Sequence, residues 1–93
     1  MKNGENQLKM VLDQIFKSII THAQIGLYHA SLKFEGEWIS DFGNQDIIRK
    51  KLTKQDITVL RIKNMLLGEN EVPIVRFDLY WGNERQLPKE KVT

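Results

Sequence analysis

Leu8, Val11, Leu12, Ile15 and Ile19 recur at i, i+3, i+4 and i+7, the spacing that gathers apolar side chains on one side of an α-helix. At 100° per residue these five fall within about 100° of arc, and Phe16 and Ala23 widen the stripe. Lys9, Asp13, Gln14 and Lys17 lie outside it. With Asn6 as a cap, the pattern predicts a helix over residues 7–22. Such a stripe needs an apolar surface to lie on.

The period then changes from 3.6 to 2. Tyr28, Ala30, Leu32 and Phe34 alternate with Leu27, His29, Ser31 and Lys33, which predicts a strand with one buried face. Glu35-Gly36 offers a residue tolerant of positive φ, and Trp38, Ile39 and Phe42 follow, so a hairpin is expected here. Val75, Phe77, Leu79 and Trp81 alternate with Ile74, Arg76, Asp78 and Tyr80 in another strand. Pro73 at its start suits a strand beginning or a sheet edge.

Between these lies DIIRKKLTKQDITVLRIKNML, which reads two ways. Asn44 as cap, Asp46 in the first turn, and Arg49, Lys50 and Lys51 in the last suit a short helix over 45–52, with Ile48 and Leu52 as i, i+4 partners. Thr53 to Asp56 has the outline of a capping box, with Asp in place of Glu or Gln. Beyond it, Ile57, Val59, Leu60, Ile62, Met65 and Leu66 scatter around a helical wheel. As a strand, ITVLRIK is rich in β-branched residues and alternates, which favours extension over 57–64. The spacing of Ile48, Leu52, Val59 and Ile62, with Gly68 and Pro73 beyond, resembles a helix-turn-helix unit. Arg49 and Thr53 depart from the small residue and the glycine which that pattern wants.

The expected architecture is therefore α+β in two layers. A largely antiparallel sheet of three to four strands packs against the N-terminal amphipathic helix, with a short second helix. Ninety-three residues are read as one domain, 1–93, with loose polar tails at 1–5 and 83–93.

Composition narrows the function classes. Fourteen basic residues face twelve acidic ones, a surplus too small for a protein that coats DNA. Without cysteine there is no disulfide, zinc thiolate or cysteine nucleophile. MKNGENQLK lacks the apolar core of a signal peptide, and no apolar run approaches the ~20 residues of a membrane span, so the cytoplasm is the expected location.

Signals of catalysis are weak. No phosphate-binding glycine loop or serine-nucleophile motif occurs, and His22 and His29, seven apart, do not share a helix face, so neither a cofactor nor a metal is expected. Nothing in the spacing of Glu35, Glu37, Asp41, Asp46 and Asp78 selects the pair of carboxylates that glycosidase-like chemistry needs.

Two binding readings remain. Trp38, Tyr80 and Trp81 are candidates for partner binding, since adjacent Tyr80 and Trp81 point to opposite faces of a strand and such rings dominate interface hot spots. This supports a non-catalytic protein-interaction module, a regulator, inhibitor or immunity-type factor, with a possible homodimer through a strand edge near Pro73–Trp81. The alternative is a nucleic-acid-binding regulator using segment 46–63, with Arg49, Lys50, Lys51, Lys54, Arg61 and Lys63 on phosphates. The same six residues are also what a solvated helix end and strand face would carry.

Overall fold

The computed structural model describes residues 2–67 and 71–82. Its elements are α1 (Lys2–Gln24), β1 (His29–Glu35), α2 (Glu37–Ser40), α3 (Phe42–Thr53), β2 (Thr58–Leu67) and β3 (Val72–Tyr80). The strands form one antiparallel sheet in the order β1-β3-β2. The class is α+β, as the periodicities predict, with the N-terminal helix laid on a three-stranded sheet.

All the described helices lie on one face of that sheet. Val75, Phe77 and Leu79 of β3 are fully buried there, against Ile15 of α1, Ile39 of α2, Ile48 and Leu52 of α3, and Ile57. Leu8, Val11, Leu12, Phe16 and Ile19 complete the contact from α1, so the stripe read from the sequence is the one that packs.

α1 begins before its predicted start and takes in residues 2–5, which the sequence placed in a loose tail. The reason is tertiary: a Cβ at Gly4 would sit 3.8 Å from Trp38 Nε1, so the first turn packs against α2. The other predicted tail, 83–93, lies outside the described residues. The helix stops at a Schellman turn. Leu27 N–H donates to His22 O and Gly26 N–H to Ala23 O, both at 3.0 Å, with Gly26 at φ 87°.

The expected hairpin after β1 does not form. Gly36 takes positive φ (122°) as anticipated, but the chain then makes one helical turn instead of a strand. In a strand, Trp38 and Ile39 would face opposite sides of the sheet. The turn lets both pack on the helical side, with Ile39 2% exposed. The cap of α3 is Asp41, not Asn44: Asp41 Oδ2 accepts from Asn44 N–H at 3.0 Å, and the Asn44 amide donates to Trp38 O at 2.8 Å.

Thr53–Asp56 closes α3 and does not open a second helix. Ile57 N–H donates to Leu52 O and Asp56 N–H to Thr53 O, both at 3.0 Å, while Asp56 adopts φ 63°. Aspartate tolerates this left-handed position better than most residues. The chain emerges extended, and β2 is a strand. The helix-turn-helix likeness therefore has no structural counterpart.

β3 is the central strand, which corrects the expectation of a free edge along Pro73–Trp81. Pro73 is accommodated because its nitrogen faces the β1 side one residue past the end of β1. Its carbonyl still accepts from Gly36 N–H at 3.0 Å.

Candidate partner-binding face

The three aromatic candidates do not meet. Trp38 packs beside Gly4 and Leu8 near the start of α1. Trp81 stands edge-on to His22 near the end of α1, ring centroids 6.4 Å apart. Some 15 helical residues between these points amount to roughly 20 Å at 1.5 Å per residue. Tyr80 does lie on the sheet face opposite Trp81, but it is 3% exposed. Burial pushes its phenol above the usual value, and Tyr28 adds to the effect. Both tryptophans are half-buried against the core. Trp81 Nε1 is buried without a hydrogen-bond partner. His22 holds its Nδ1 2.7 Å from Ser18 O, an acceptor only, so that nitrogen carries the proton.

The six basic candidates divide between two faces. Arg49, Lys50, Lys51 and Lys54 belong to the last turns of α3 and its cap, on the helical side. There Arg49 and Lys50 both pair with Asp46, Lys50 Nζ at 3.1 Å, and together they hold that carboxyl below its usual range, Arg49 foremost. Arg61 and Lys63 stand on the other side of the sheet, opposite Asp78 and Arg76 of β3.

That other side carries a constellation the sequence did not announce. No described helix covers it, and its residues come from all three strands. Register places Lys33, Arg76 and Lys63 side by side in one row across the sheet. The next row is Ser31, Asp78 and Arg61, and beyond it His29, Tyr80 and Thr58. Like charges directly opposite one another oppose pairing, so the row of three cations costs stability unless something anionic lies near.

Asp78 meets part of that need. Its Oδ1 is 3.1 Å from Arg76 Nε, its Oδ2 accepts from Arg76 Nη2 at 3.3 Å, and it accepts from Ser31 Oγ at 2.7 Å. Among the described strand residues, four cations, Lys33, Arg61, Lys63 and Arg76, share the face with two carboxylates, Glu35 and Asp78. Strand alternation marks Lys33, Glu35, Arg76 and Asp78 as pointing away from the core, whereas Arg61 and Lys63 reach that face only because the extra residue Leu60 shifts the phase of β2. Their assembly into rows depends on strand order and register, which no local pattern reveals.

Three of the carboxylates among which the spacing selected no catalytic pair have structural roles: Asp41 caps α3, Asp46 anchors the α3 cations, and Asp78 holds Arg76. Among the described residues no group of three His, Asp or Glu side chains could hold a metal ion, and no helix is long and apolar enough to cross a membrane. Comparison with protein-family models, curated proteins and solved structures finds no match for this chain.

Proposed function

We propose that the protein is a small non-catalytic binding module, a regulator or inhibitor in the cytoplasm, which takes an acidic surface of another protein on the sheet face that no described helix covers. The observation that carries this reading is the row Lys33–Arg76–Lys63. It is a line of cations whose mutual repulsion is relieved when a partner brings carboxylates to it. The surrounding residues fit a protein partner better than a nucleic acid. Ser31, Asp78, His29, Ile74 and Met65 make a mixed polar and apolar surface, whereas nucleic-acid interfaces are much more uniformly positive.

Lys33→Glu with Lys63→Glu tests the reading, with Lys51→Glu and Lys54→Glu as the control on the helical side. Both pairs make the same change in net charge. Partner captured from the native extract is expected to fall about tenfold or more with the first pair and to hold with the second. Equal loss in both would reduce the effect to net charge and remove the face from consideration. Capture that disappears after nuclease treatment would replace the protein partner with nucleic acid.

A further inference from the structure

Among the described residues, one side of β1 has no paired strand. Trp81 N–H donates to Tyr28 O at 2.9 Å and Gly36 N–H to Pro73 O at 3.0 Å, so the even-numbered residues of β1 direct their backbone groups at β3. The odd-numbered residues, His29, Ser31, Lys33 and Glu35, direct theirs outward along the sheet edge, and all four are exposed. The edge is regular over its whole length, with no bulge and no proline. The opposite edge differs: in β2 an extra residue, Leu60, interrupts the register between Val59 and Arg61, a device that discourages pairing.

Above the β1 edge runs a groove of about 270 Å³, walled by Met10 and Val11 of α1, Phe34 of β1 and Trp38 of α2. Lys33 and Glu35 reach its rim although their side chains belong to the other face, which places the opening at the outer edge of the strand. Met10 is 59% exposed there.

We infer that β1 accepts an extended segment of the partner as a fourth strand, with alternate side chains of that segment entering the groove under α1. The inference rests on the reading that the partner is a protein, and it specifies how that protein binds. Main-chain bonds to His29, Ser31, Lys33 and Glu35 hold the segment, and the groove selects an apolar residue opposite Phe34. Its neighbours on the open face meet the end of the cation row, so the residue opposite Lys33 is an aspartate or glutamate. The segment is apolar and acidic in alternation.

A second copy of the chain fits this edge poorly. α1 has β1 as its main strand neighbour. Two β1 strands would pair at ~4.8 Å and bring two α1 helices together, whereas helix axes need ~8–10 Å.

The test uses the full chain and a phage-displayed library of random linear peptides. Enriched peptides are expected to alternate apolar with polar positions and to carry a carboxylate. Hydrogen exchange of the Ser31 and Lys33 amides is expected to slow when such a peptide is added, a readout that needs no variant. Ser31→Pro removes one outward donor and is expected to weaken the peptide about tenfold, or ~1.4 kcal/mol, while Ser31→Ala, which keeps the donor, stays within about threefold.

Unchanged exchange at both amides, or equal loss in the two Ser31 variants, overturns the inference. So does a dimer in sedimentation that Ser31→Pro dissociates, because the occupant is then a second copy. Natural-partner capture lost in Lys63→Glu but kept in Ser31→Pro leaves the face reading standing and removes the edge. Capture lost in Ser31→Pro but kept in Lys63→Glu does the reverse, since Lys63 lies two strands away.

Discussion

Gln45 shows how one side chain can join three elements. It is 4% exposed, on α3, and its Nε2 donates to Ile39 O of α2 at 2.8 Å and to Asn64 Oδ1 of β2 at 2.7 Å. Both amide hydrogens are therefore used inside the molecule. Gln45→Met keeps much of the shape and removes both donors, leaving the Ile39 carbonyl without that bond. Asn64 is exposed and can turn to water. The loss expected in urea unfolding is about 1–3 kcal/mol, the cost of one buried group left unsatisfied. A Gln in the middle of a polar stretch carries no sign of this. The helix that sequence periodicity placed at 45–52 starts at Phe42, and the three added residues bring Asp41 into the capping position.

At the scale of the element, α1 illustrates a stripe that is legible but graded. Ile15 is fully buried against β3, whereas Ile20 is 57% exposed although it follows the stripe residue Ile19 directly. Ile15→Ala is expected to cost about 2–5 kcal/mol, from lost transfer energy and the cavity left behind. Ile20→Ala is expected to stay within about 0.5 kcal/mol. Comparable losses at both positions in urea titrations would mean that α1 packs in another rotation. β2 was the harder element to read. Its β-branched content favoured extension, and what enforces extension is the closure of α3, where Ile57 N–H returns to Leu52 O. A capping box and a helix C-terminus share polar residues such as Thr, Lys, Gln and Asp, so composition there does not tell one from the other.

For the molecule as a whole, one core joins α1, α2, α3 and all three strands, and Trp38 and Trp81 border it at opposite ends of α1. Chains of this size with a shared core unfold cooperatively. Trp38→Phe leaves a reporter at one end and Trp81→Phe at the other. Their fluorescence unfolding curves are each expected to coincide with that protein's own far-ultraviolet circular dichroism. A fluorescence midpoint that departs from the circular dichroism midpoint in either variant would show that the two ends open separately. The division of the six basic residues also belongs to this scale. Arg49, Lys50, Lys51 and Lys54 are adjacent in sequence to Arg61 and Lys63, yet a sheet one residue thick separates the two groups, and Lys33 and Arg76 join the second group from distant parts of the chain.

By itself the sequence determined the periods: 3.6 over α1, 2 over β1 and β3, and hence a helical layer on a sheet with one apolar face. These are local properties, written every three or four residues or every second one, and burial of the apolar face makes them obligatory. Tertiary structure alone decided the one-turn helix after Gly36, the central place of β3, the burial of Tyr80 and the cation row. Each depends on which strand lies beside which and in what register, and that is settled by side chains meeting across the fold from distant positions in the chain.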